Sequence, residues 1–315
     1  MIYFVNLKSY IQDGIRPETN CRILPGIANF PNGKCHQILR KLLMGKVRLS
    51  GAWLERINGQ TGFCELENIS SGDTLIVNSV RHAYVCKGIN HLISAPDVKR
   101  FVHYYDPLER LFAGMDVKNS IESIKATGFI PSTFDKQDAE KYGLFYAGQY
   151  YRFPESTKEC NLEYDFVFAG LRKDRGEKID SFKQTADKLG FKSFIHAVKV
   201  HKDGIPYEAY LDHMKRSRCI LDFTQGGQRG LTLRPLEAMF FDKKLVTDNA
   251  DIKNYPFYYP ENIFVYGLDD IHNLPDFMNR PYHRISNDIK NMYDVNTWLK
   301  NFACYKTSPS GPSDI

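Results

Sequence analysis

The sequence has little of what would mark a secreted, membrane-spanning or metal-held chain. Its seven cysteines, Cys21, Cys35, Cys64, Cys86, Cys160, Cys219 and Cys304, are odd in number and scattered, with no Cys-x-x-Cys pair. That spacing argues against a disulfide framework or a zinc site and for reduced thiols. No apolar run approaches the roughly 20 residues that a membrane-spanning helix needs. The opening Met1-Ile2-Tyr3-Phe4-Val5-Asn6-Leu7 is too short, and has no basic flank, for a signal peptide. A net charge of +5 is too small to argue for nucleic acid, and no nucleic-acid motif is present. There is no repeat of fixed period and no low-complexity tract. The expectation is a cytoplasmic chain.

What is present is apolar content ample for real cores: 43% of 315 residues, enough for two domains of ordinary size. The most informative stretch runs from Ile220 to Asn249, ILDFTQGGQRGLTLRPLEAMFFDKKLVTDN. Cys219 to Phe223 has the length of a buried parallel strand. A loop with Gly226, Gly227 and Gly230 follows. Leu233 to Phe240 reads as a helix, with Pro235 in the first turn where a missing N–H costs nothing. Lys243 to Thr247 reads as the next strand. Strand, glycine loop, helix, strand puts free backbone N–H groups and a positive helix end at the strand's carboxyl edge. Gly227, Gly230 and Thr232 line that loop, and Arg229 and Arg234 add guanidiniums suited to phosphate. Glu237, one turn beyond Arg234, is placed to accept from ribose or sugar hydroxyls. A surface Arg–Glu pair beside an ordinary loop is the plainer alternative.

A second copy of the layout lies upstream. Tyr164 to Gly170 is a strand running into glycine, then Leu171-Arg172-Lys173-Asp174-Arg175-Gly176, then a helix from about Glu177 to Leu189. Arg172, Lys173 and Arg175 are candidates for the same phosphates. Lys192 to Val198 and Pro206 to Arg216 continue as strand and helix.

In the first half, Ile2 to Leu7, Asp73 to Ser79 and Lys99 to Pro107 read as strands, Lys34 to Met44 and Val117 to Ile124 as helices. His103 and Asp106 end a strand on the edge that faces ligand in open α/β sheets, which makes them candidates for acceptor contact or general base. Equally, Asp106-Pro107 reads as a turn and His103 as a structural residue. Between Glu18 and Glu55 there is no acid, while Arg22, Lys34, Arg40, Lys41, Lys46 and Arg48 are basic. Such a patch suits anionic groups, a solvated face being the alternative. Tyr255 to Pro260 is an aromatic loop for core or ligand. Tyr150 to Asn161 reads as a polar linker.

The stretch from the glycine loop to Thr247 resembles the nucleotide-sugar site of GT-B glycosyltransferases, in which a glycine-containing loop leads into a helix written E-x7-E. Glu237 matches the second glutamate, and Arg229 stands where the first would be. The wording GGQRGLTLRPLEAMFFDKKLVTDNADIKNYPFYYPENIF, with Ser132 to Ala139 and Tyr164 to Gly170, resembles a bacterial group of glycosyltransferases from lipopolysaccharide and capsule gene clusters. The likeness covers roughly Asp73 to Ile285. It implies an α/β protein of GT-B form, two Rossmann-like domains facing a cleft. Residues 1–155 would be the acceptor domain and 156–290 the donor domain, with 291–307 a closing helix returning to the first and 308–315 a disordered tail.

The implied activity is metal-independent transfer of a sugar from a nucleotide-sugar to a lipopolysaccharide or capsular glycan, with no cofactor. No Asp-x-Asp occurs, the metal-binding pair of the other main glycosyltransferase fold. Gly170, Lys173, Arg175, Tyr207, Gly227, Arg229, Gly230, Thr232, Arg234 and Glu237 would hold the donor. Partners would be the nucleotide-sugar, a glycan or glycolipid acceptor and, peripherally, the inner membrane, with no nucleic acid. A nucleotide-sugar epimerase or hydrolase of the same shape, and a non-catalytic nucleotide-sugar-binding assembly protein, are the rival readings.

Overall fold

A computed structural model describes residues 1–25, 38, 46–58, 62–154, 160–226 and 230–306. The expected helix Lys34 to Met44 apart from Ile38, three of the six basic-patch residues (Lys34, Arg40 and Lys41), Gly227, Arg229 and the tail from residue 307 lie outside the described residues. The chain divides into two compact units, residues 1–148 with 296–315, and residues 149–295. The sequence reading had put the divisions at 155/156 and 290/291.

The first unit holds six strands: β1 (Ile2–Val5), β2 (Cys21–Leu24), β3 (Thr74–Asn78), β4 (Lys99–Tyr104), β5 (Ile130–Thr133) and β6 (Phe145–Tyr146). They pair wholly in parallel in the order β2-β1-β3-β4-β5-β6. β1 and β3 are buried at every position, as expected of parallel strands covered on both faces and rich in Val, Ile, Leu and Phe. The helices among the described residues are α1 (Ser9–Gln12), α2 (Gly51–Asn58), α3 (Phe63–Leu66), α4 (Ala83–Leu92), α5 (Leu108–Leu111), α6 (Val117–Lys125) and α7 (Lys136–Tyr142). Sequence chemistry sets their ends. Asp116 caps α6 by accepting from the Asn119 N–H at 2.8 Å. Asp135 caps α7 through Gln137 and Asp138, and Gly143, at φ 60°, takes the left-handed turn that stops it. Ile121 and Ile124 turn one face of α6 into the core that also holds Leu75, Val77, Val102 and Phe112. Each such side chain, fully buried, contributes about 1.5–3 kcal/mol.

The second unit holds β7 (Tyr164–Leu171), β8 (Ser193–Val198), β9 (Ser217–Asp222), β10 (Lys244–Thr247) and β11 (Ile263–Val265), again all parallel, in the order β8-β7-β9-β10-β11. α8 (Gly176–Lys188), α9 (Tyr207–Lys215), α10 (Leu233–Phe240), α11 (Leu274–Asn279) and α12 (Asn287–Met292) accompany it. Strand order reverses between β7 and β9, so their carboxyl ends diverge around a crevice, the usual ligand position in open parallel sheets. Phe166, Phe168, Phe182, Leu221, Phe223, Val246 and Phe277 form this unit's core. The stretch read as a polar linker begins instead with Tyr150 and Tyr151 buried, and Tyr151 exchanges backbone hydrogen bonds with Tyr293 and Val295. In the aromatic loop Phe257 is buried and rests edge-on against Tyr293.

The last helix, α13 (Val295–Cys304), packs Trp298 and Phe302 onto the first unit's own strand residues Phe4 and Phe101. The protein is α/β with two all-parallel sheets. Among the described residues no helix is long and apolar enough to cross a membrane.

Candidate functional site

The crevice between β7 and β9 collects the second unit's chemistry. Arg175 enters from the 3-10 turn Lys173–Arg175 that follows β7. Its Nη1 donates to the Phe223 carbonyl at 2.6 Å and its Nε to the Leu171 carbonyl at 3.0 Å. Arg234, in the first turn of α10, donates from Nη2 to the Ala169 carbonyl at 2.7 Å. Both guanidiniums lie over the buried Phe168 ring, 5.1 and 4.8 Å from its centroid. Gly170, at φ 154°, makes room for them. A Cβ there would stand 2.9 Å from Arg234 Nη2 and 3.3 Å from Arg175 Nη2.

Two cations this close repel, and burial raises the cost. Arg175 is 5% exposed, and burial first, then Arg234, pulls its guanidinium down to about 10. A buried carboxylate faces the pair. Asp222, the last residue of β9 and 1% exposed, has Oδ1 3.8 Å from Arg234 Nη1. It accepts from the Thr232 hydroxyl at 2.9 Å and from Thr247, its neighbour in register on β10, at 3.1 Å. Burial raises this acid above the ordinary carboxylate range, against the pull of Arg234 and the two hydroxyls. Thr232 spends its hydroxyl here and does not cap α10. Arg234 Nε is buried with no hydrogen-bond partner among the described residues. A buried donor in that condition costs about 1–3 kcal/mol. A guanidinium with one normal hydrogen bond, an idle donor and a carboxylate beyond hydrogen-bond reach is ready to receive an anion's oxygens.

Other members of the expected donor set are already engaged. Lys173, at φ 42°, donates to Gln225 at 2.8 Å. Arg172 holds Asp180 through both terminal nitrogens. Gly226 N–H, in the glycine loop, donates to the Asp174 carboxylate at 2.6 Å. Gly230 opens the segment leading to Thr232. Glu237 is 2% exposed, and both of its oxygens are taken, by Tyr207 at 2.8 Å and Tyr210 at 3.0 Å. Burial lifts its carboxyl above the usual range. Tyr207 in turn meets Tyr151, hydroxyl to hydroxyl, at 2.6 Å. The carboxylate expected to hold sugar hydroxyls holds tyrosine hydroxyls here and ties α9 to α10.

His103 and Asp106 fall into different surroundings. His103 has no exposed surface; Trp298 and Phe302 of α13 and Tyr105 meet its ring edge-on, and Nδ1 shares a 3.1 Å hydrogen bond with Ser132. Burial pushes the imidazole down to about 3, so it is neutral and walled off from solvent. Asp106 is exposed and paired with Arg110 one turn on. A recess of about 330 Å³ in the first unit, lined by Phe129, Ile130, Pro131, Phe145 and Tyr305, opens at the amino end of β5, the edge opposite the one that binds ligands in such sheets.

Sequence reasoning missed Asp222, although an acid closing the apolar run Cys-Ile-Leu is a signal of a buried charge with a partner. It also missed Tyr210 and Phe168, which look like any core aromatics. Among the described residues no cluster of three or more His, Cys, Asp or Glu is arranged to hold a metal ion. The chain matches no protein-family model and no curated protein.

Proposed function

We propose that the protein is a glycosyltransferase of GT-B type, moving a sugar from a nucleotide-sugar to a lipopolysaccharide or capsular glycan. One observation carries the reading. Two guanidiniums, Arg175 buried and Arg234 half-buried, are cleared by Gly170 and meet the buried Asp222 carboxylate at the switch point of a parallel sheet, with Arg234 Nε left over as a buried donor. A phosphate of the donor would take that place, its charge met by Arg175 and Arg234, which then also steady the leaving diphosphate. Tyr207, fixed through Glu237, would present its ring to the base. The sequence resemblance supplies the sugar and the acceptor class.

The test is a thermal-shift screen against UDP, GDP, dTDP, ADP, CMP and CDP, followed by sugars of the winner. One nucleotide should raise the melting temperature, and the shift should vanish in Arg234→Ala. Release of sugar from the donor with no acceptor present would point to a hydrolase or epimerase; binding without turnover on any acceptor would point to an assembly protein. No shift with any nucleotide would remove the donor reading.

A further inference from the structure

The buried carboxylate beside the two guanidiniums has no part in the sequence argument, yet it is the group nearest in charge to a ligand. Asp222 lies 3.8 Å from Arg234, too far for a hydrogen bond and close enough for strong attraction in a dry site. Its oxygens are held by Thr232 and Thr247, which are neutral and keep it from closing on the guanidinium. The other charges facing it are Arg175 after β7, Glu237 along α10, and Asp248 at the end of β10. Asp248 is itself engaged by Lys178 at 2.7 Å and by the Thr224 N–H and hydroxyl. A ligand phosphate at Arg234 would come within reach of Asp222, and two anions so placed disfavour each other's charged form.

We propose that Asp222 is the resident counter-charge of this pocket and that a phosphate-bearing ligand competes with it for Arg234, one solvent proton passing to the Asp222 carboxylate as the ligand binds. This rests on reading the pocket as a phosphate site. Asp222 is then a specificity-determining residue. With its charge in place the pocket favours the singly charged phosphates of a diphosphate ester over the doubly charged end of a released product. Burial already favours the neutral form of Asp222, so the proton is taken up more readily than by a surface aspartate.

The probe is sodium sulfate, which stays doubly charged across the working range, titrated calorimetrically at constant ionic strength. Wild-type affinity should rise as the pH is lowered, roughly tenfold for each unit by which the ligand shifts the Asp222 titration. Asp222→Asn, which keeps the shape and removes the charge, should bind more tightly at the higher pH and lose the dependence. Thr247→Val removes one hydrogen bond from the carboxylate and should move the profile to higher pH, and it serves if Asp222→Asn does not fold. A flat wild-type profile, weaker binding by Asp222→Asn, or no sulfate binding overturns the proposal. Proton-linked sulfate binding with no nucleotide bound would leave it standing and sink the donor reading. Nucleotide binding with a flat sulfate profile would do the reverse.

Discussion

At the carboxyl edge of the first sheet His103 is closed in by aromatic rings and neutral, whereas at the carboxyl edge of the second Arg175 is buried, Arg234 is half-buried, and both are charged. Both sheets are parallel, and both edges carry polar residues that the sequence marks equally as candidates. Burial acts on them differently. An imidazole escapes the desolvation cost by giving up its proton, as the drop to about 3 records. A guanidinium cannot, so its cost stays in the folded state until a partner arrives. The unrelieved charge, not the position at a strand end, separates the site from the core.

The largest effect expected from perturbing this contrast is at Gly170. Gly170→Val puts side-chain atoms where the two guanidiniums pass, so it should abolish nucleotide binding and cost about 2 kcal/mol or more of stability. Calorimetry and urea unfolding read both. Next is Glu237→Gln, which leaves one tyrosine hydroxyl facing an amide donor. The sequence put this residue's effect on activity; its burial puts it on folding, with a loss of about 1–3 kcal/mol in the urea midpoint.

His103 gives a pH signature. Its folded titration point lies below the unfolded value of 6.5, so its stabilisation is present above that value and is lost as pH falls toward about 3. Unfolding free energy should decline below pH 6.5 by up to about 1.4 kcal/mol per unit from this residue, and His103→Gln should flatten that slope. The smallest effect belongs to Asp106→Asn. It breaks an exposed pair with Arg110 and should change stability by no more than about 0.5 kcal/mol. A larger change would contradict the reading of this pair as an exposed surface contact.

Much of the fold was legible because its signals are local. The apolar runs Leu75–Val77 in β3 and Cys219–Leu221 in β9, and the Pro235 turn at Leu233–Phe240, lie within single elements. The site was legible in part. Gly170, Arg175 and Arg234 stood in two basic glycine loops and meet in the structure. What stayed hidden depends on residues far apart in the chain. Trp298 and Phe302 return to close over His103, Tyr207 and Tyr210 reach Glu237 from another helix, and Thr247 lies beside Asp222 only through strand register. No local pattern encodes those meetings.

The central claim is that Arg234 holds a nucleotide's phosphate, and calorimetric titration of the best nucleotide into wild type and Arg234→Ala tests it most directly. The account predicts a loss of about thirtyfold or more in affinity, the weight of one charge-assisted phosphate contact, with the variant still folded. Equal affinity in the two proteins would contradict it.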